Sequence, residues 1–180
     1  NKGEGLGNQF LSNIREVDAI AHVVNCFEDD VLANVENSHD SVDDVLVVQT
    51  ELILSDLEQV ERKIEKLHKQ RKGGSDLSEV LLVFEKIRDH LGEGNPAISA
   101  NLNTDEKLLI GELNLLSMKP YIFIANVSED KLKDESNSEK KLRKFASQED
   151  VEVITICAKV ESELSDMDDE ESDYFMEELG

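Results

Sequence analysis

The stretch PYIFIANV, Pro120–Val127, is apolar at almost every position and rich in β-branched and aromatic residues. It has the length of a strand, and near-continuous apolar character is how strands buried on both faces read. Two further runs share the pattern, AIAHVVNCF at Ala19–Phe27 and VEVITICA at Val151–Ala158. Helix-patterned sequence separates the three. That alternation predicts an α/β fold with a parallel, doubly wound sheet. Three strands are few for such a sheet, so it is expected to be partial.

Between the first two runs the period changes. Leu46, Thr50, Ile53, Leu57, Val60, Ile64 and Leu67 step by four and three, which is a heptad seam. KGGS at Lys72–Ser75 breaks the helix, and a second seam follows through Leu77, Val80, Phe84, Ile87 and Leu91. Two seamed helices around a glycine turn predict an antiparallel α-helical coiled-coil hairpin. GEGNP at Gly92–Pro96 ends the second helix. A further helix is expected over Thr104–Leu116, with Thr104 as its N-cap. The organisation is then an α/β part over residues 1–40 and 119–180, interrupted by a helical insertion over 41–118. Near the hairpin tip, Arg62, Lys63, Lys66, Lys69, Arg71 and Lys72 face one acid, Glu65. Such cations either complement the helix dipole and solvate the tip, or form a contact point for RNA or an acidic partner.

Composition narrows the function classes. The formal net charge is −22 over 180 residues, a surface that repels phosphate backbones and argues against DNA binding. No 18-residue apolar run and no signal-peptide pattern is present, so a cytoplasmic, membrane-free protein is expected. Cys26 and Cys157 lie in apolar runs and read as small buried hydrophobes rather than a disulfide pair. His22, inside the first strand, reads as a core or edge histidine. The acid run Asp166, Asp168, Asp169, Glu170 and Glu171 lacks the glycine and alternation of a calcium loop, and suits a helix start.

Ligands of open α/β sheets bind at the carboxyl ends of the strands. Here the second run ends in NVSE, Asn126–Glu129, and the third in CAKVE, Cys157–Glu161. In small GTPases the matching segments are an Asn-Lys-x-Asp run and a Ser-Ala-Lys run that together grip the base. With these segments the chain resembles the YchF family, an Obg-related branch of the P-loop NTPases. KGEGLGNQFLSNIREVDAIAHVVNCFEDD resembles the family's stretch after its Asp-x-x-Gly switch motif, and KPYIFIANVSED its base-recognition strand. CAKVESELSDMDDEE resembles its final core strand and following helix, and the heptad hairpin its coiled-coil insertion.

The resemblance covers essentially all 180 residues and carries expectations. It implies part of a P-loop NTPase G domain, with the phosphate loop and first switch before Asn1 and a TGS domain after Gly180. It implies ATP (or GTP) with Mg²⁺ as ligand of the intact protein, ATP hydrolysis there, and the ribosome as partner. No catalytic residue and no metal ligand is expected within these 180 residues, which are expected to be inactive alone. Asn126 would bond the purine, Val127 would cover it, and Glu129 would stand where GTPases read guanine with an aspartate. The backbone at Ala158 and Lys159 would close the other side. Gly3, Gly5 and Gly7 would belong to the switch loop. Lys66, Lys69, Arg71 and Lys72 are the candidate partner contact. A non-enzymatic adaptor that binds a protein or RNA through the helical arm is the alternative.

Overall fold

Strand β2 (Tyr121–Asn126) is the middle of a three-stranded sheet, between β1 (Ile20–Asn25) and β3 (Val153–Ile156). β2 and β3 run parallel, with Phe123 beside Val153 and Ala125 beside Thr155. β1 advances with β2: the Ile20 amide donates to Pro120 O at 3.0 Å and the Cys26 amide to Asn126 O at 2.9 Å. The computed structural model describes residues 3–27, 40–71, 77–168 and 171–175, side chains of 3–6 and 8 excepted. The KGGS break at 72–75 lies outside them. The helices among the described residues are α1 (Gly3–Arg15), α2 (Ser41–Arg71), α3 (Ser78–Gly92), α4 (Thr104–Gly111), α5 (Asn137–Gln148) and α6 (Ala158–Ser165).

Two compact units emerge: residues 1–20 with 46–120, and residues 21–45 with 121–180. Residues 1–20, expected with the sheet, thus group with the helices. In the sheet unit, Phe123, Ala125 and Val127 project to one side of β2 and form a core with Val24, Cys26, Val45, Leu142 and Ala146. α5 covers this side because its apolar positions Leu142, Phe145 and Ala146 recur at helical spacing. Its start is fixed by Ser136, whose hydroxyl accepts the Glu139 amide at 3.0 Å. The buried Glu139 carboxylate receives Arg143 at 2.9 Å, and the same guanidinium reaches Thr155 Oγ1 on β3 at 2.6 Å. The other side of the sheet differs from expectation. Val23 is 57 % and Ile154 43 % exposed. Apolar content alone does not tell which face a helix will cover.

In the helical unit, Ile53, Val60, Ile64 and Leu67 of α2 share a buried core with Leu81, Phe84, Ile87 and Leu91 of α3. The seam is shorter than the heptads: Leu46 and Thr50 are exposed, and Val45, one residue earlier, is buried in the sheet core instead. α3 ends as expected. Gly94 takes the left-handed conformation, φ +84°, and its amide returns to Leu91 O. α4 departs in two ways. Its cap is Asn103, in a reciprocal capping box with Glu106, and it stops at Gly111. The chain then turns through Asn114 at φ 45° into a short 3₁₀ turn at Leu116–Met118. The glycines expected in a loop, Gly3, Gly5 and Gly7, lie in α1. Extending a helix adds one hydrogen bond per residue fixed, which offsets the roughly 1 kcal/mol that glycine forfeits against alanine.

Candidate functional site

The carboxyl ends of the three strands converge on Asn126. This side chain is nearly buried, the last of β2, and held by neighbours on both sides. Its Oδ1 accepts the Ala158 amide at 3.0 Å, and its Nδ2 donates to Asn25 Oδ1 at 3.3 Å. Ala158 is the first residue of α6, so Asn126 satisfies one of the orphan amides that every helix start presents. Cys157 before it offers no side-chain cap. Asn126 therefore ties β1, β2 and the turn after β3 together. One amide hydrogen and one oxygen lone pair remain for a ligand.

Beside this brace opens a cleft of about 740 Å³. Val127, Cys157, Leu132 and Phe27 give it apolar walls, and Glu129, Lys159 and Lys133 line it with charge. Lys159 Nζ meets Glu129 Oε2 at 3.0 Å and Glu163 at 3.7 Å. The hydrogen bond to Glu129 pushes the Lys159 ammonium above its ordinary range. Both partners are exposed, so the pair adds little to stability. It does hold the Glu129 carboxylate at the mouth. Next to it, a hydrogen bond from Ser128 holds Asp130 below the usual carboxylate range. Apolar walls with a polar rim suit a heterocycle that carries hydrogen-bonding groups on one edge.

The expected site residues are thus brought together in part. Val127, Glu129 and Lys159 line one cleft, and Asn126 and Ala158 are bonded to each other beside it. Val127 faces inward. It is 0 % exposed, its side chain packs in the sheet core, and its amide donates to Ile156 O at 2.8 Å. It borders the cleft from within the core. Phe27, 53 % exposed on the cleft wall, is the more open apolar surface there and was missed. The available signal was an aromatic directly after the first strand in a chain with only eight Phe and Tyr. Asn25, the partner of Asn126, was also missed, because its role exists only across strands.

The other candidates fall elsewhere. Lys66, Lys69 and Arg71 are exposed on the last turns of α2, and Lys72 lies outside the described residues. Two of their neighbours are neutralised: Arg62 pairs with Glu58 at 2.7 Å and Lys63 with Glu112 at 2.8 Å. His22 packs its ring 5.7 Å from Phe123, and burial lowers its pKa against the opposing pull of Asp44. Cys26 and Cys157 are buried free thiols, and burial raises that of Cys26. Among the described residues no cluster of three metal-ligating side chains occurs, and no helix is long and apolar enough to cross a membrane.

No protein-family model matches the chain. It is 42% identical over 182 residues to the ribosome-binding ATPase YchF of Bacillus subtilis, covering 99% of this chain and 50% of that protein. It is 43% identical over 180 residues to the ribosome-binding ATPase YchF of Escherichia coli O157:H7, with 99% and 49% covered. Among solved structures, the Schizosaccharomyces pombe YchF GTPase superposes with a TM-score of 0.84 at 29% identity, over 96% of this chain and 48% of that one. The chain spans about half the length of the curated relatives it matches. With nearly every residue aligned and the same fold, the chain is similar in sequence and structure to about half of a YchF protein.

Proposed function

We propose that the chain forms the base-recognition end and the helical arm of an ATP-binding, ATP-hydrolysing protein that works on the ribosome. The carrying observation is the cleft at the strand ends, where Phe27 and Glu129–Lys159 stand beside the Asn126 brace. Phe27 would stack on the purine, and Asn126 would use its remaining amide hydrogen on the ring. Glu129, tied to Lys159 and longer than aspartate, would fail to take up the paired guanine donors, which favours adenine. Backbone at Ala158 and Lys159 would close the far side. Gly3, Gly5 and Gly7 would form the nucleotide-responsive segment. Mg²⁺ would come with the nucleotide of the intact protein, held largely through its phosphates.

Residues 41–118 would be an insertion shaped as an antiparallel coiled-coil hairpin, a reading supported by the shared seam of α2 and α3. The 180 residues contain no Gly-x-x-x-x-Gly-Lys-Ser/Thr run, so the base site works here without a phosphate cradle. Affinity for ATP should then sit near the millimolar level, about −4 kcal/mol. Amide shifts followed during titration with millimolar ATP test this. Phe27, Ser128, Glu129 and Lys159 should move with ATP and less with GTP, and Phe27→Ala should abolish the response. Shifts absent from the cleft, or equal for ATP and GTP, would remove the proposal. The exposed Lys66, Lys69 and Arg71 on so acidic a chain support a second role, docking of the arm on RNA or an acidic partner.

A further inference from the structure

Strands β1 and β2 end side by side on the same residue type: Asn25 is the last residue of β1 and Asn126 the last of β2. The Cys26 amide, donating to Asn126 O at 2.9 Å, holds that register. The two side chains then meet, with Asn126 Nδ2 donating to Asn25 Oδ1 at 3.3 Å. A third group dictates which end of each amide faces which. The Ala158 backbone N–H can only donate, so Asn126 must turn its oxygen toward it, at 3.0 Å, and its nitrogen toward Asn25. Asn25 must in turn present its own oxygen, because its nitrogen there would set two donors face to face. Burial of the pair is unequal. Asn126 is nearly buried, whereas Asn25 is exposed. What Asn25 contributes is therefore an acceptor in a set direction, with little packing.

We infer that Asn25 is a positioning residue for the base site, which aims the one free hydrogen of the Asn126 amide. The inference rests on the proposed contact of that hydrogen with the purine ring. The torsion that turns a terminal Asn amide is broad, because it joins a tetrahedral carbon to a planar one. The Ala158 bond holds the oxygen end and leaves the amide plane free to rock about it. The Asn25 bond holds the nitrogen end. Both hydrogens of that nitrogen lie in the amide plane and diverge, so fixing one fixes the direction of the other. A donor aimed before the ligand arrives reduces the ordering cost of binding. Asn25 itself does not touch the base in this account; it acts through Asn126. Phe27 and Glu129 keep the roles of stacking and of discrimination between bases.

The side-chain amide resonances of Asn126, followed without ligand and then with adenosine, test this; adenosine carries no phosphate charge. In Asn25→Ala the bonded Nδ2 hydrogen should lose its hydrogen-bonded shift before any adenosine is added. At a fixed, subsaturating adenosine concentration, the shifts of cleft amides should shrink about two- to tenfold, the range that a single hydrogen bond spans. The urea midpoint should stay in place, since Asn25 is exposed. Asn25→Asp keeps an acceptor oxygen and should return both readouts toward the parent. An Asn126 resonance unmoved in Asn25→Ala, an adenosine response equal to the parent's, or a loss that Asn25→Asp does not reverse each overturns the inference and leaves the base-recognition reading standing. A parent whose cleft gives no response to adenosine removes that reading, and the inference falls with it.

Discussion

Asn126 shows how much one amide side chain can organise. Itself nearly buried, it closes the head of α6 through Ala158 and joins β1 through Asn25. Asn126→Ala deletes two part-buried hydrogen bonds, from the Ala158 amide and to Asn25 Oδ1, each worth about 0.5–1.5 kcal/mol. We expect a loss of about 2 kcal/mol in urea denaturation, together with loss of the nucleotide-induced shifts at the cleft. His22 makes a different residue-scale prediction. Burial lowers its folded pKa below the unfolded value of about 6.5, so the unfolded chain takes up the proton first. Its contribution is intact above about pH 6.5 and is lost as pH falls through that value. His22→Asn should remove this component. The stability gap between the parent and the variant should therefore move against the parent between pH 7.5 and 5.5. A gap that stays constant would mean that His22 titrates as in the unfolded chain.

At the scale of elements, the decisive group is Asp56. It is 0 % exposed in the middle of α2 and faces four donors, two from the backbone of the 3₁₀ turn at Leu116–Met118. It thereby fixes where the chain returns from α4 toward β2. Asp56→Ala deletes the acceptor and leaves the amides of Leu116 and Ser117 buried and unpaired. Removal of one side of a buried charged network costs about 3–5 kcal/mol, and urea denaturation should register a loss of that order. Arg62→Ala, by contrast, breaks the Arg62–Glu58 pair on the exposed side of the same helix and should leave the denaturation midpoint unmoved. If the two variants behave alike, burial is not what gives Asp56 its weight.

On the scale of the whole molecule, charge is the dominant feature. The chain carries −22, yet Lys66, Lys69 and Arg71 stand exposed together and, among the described residues, without an ion pair. A local positive field of this kind persists over a Debye length of about 8 Å at physiological salt. Changing all three to Gln preserves helix propensity and leaves the Ile64 and Leu67 seam untouched. Stability should barely change. Co-sedimentation with ribosomes should weaken, and its dependence on salt should become shallower as fewer phosphate contacts form. Equal co-sedimentation of parent and variant across a salt series would leave these cations as complements of the helix dipole.

The sequence by itself determined the class of fold, because strand-length apolar runs separated by helical periods leave few other arrangements. It also marked the ends of β2 and β3, since chemistry in such sheets gathers there, and its spacing picked out most of the apolar positions that α2 and α3 bury together. Tertiary structure decided what side chains at those places do. Val127 lies in the strand-end motif, but the alternation of β2 turns it into the core. Phe27 and Asn25 join the site from another strand, a proximity that no local pattern encodes. Asp56 sits in α2 within an ordinary heptad stretch, and only the approach of residues 116–117, sixty positions away, makes it a buried anchor. Gly3–Gly7 has the composition of a loop but continues a helix, because hydrogen-bonded extension outweighed the entropy of glycine. Periodicity is local and survives in the sequence, whereas partners across strands and helices depend on distances that only the folded chain creates.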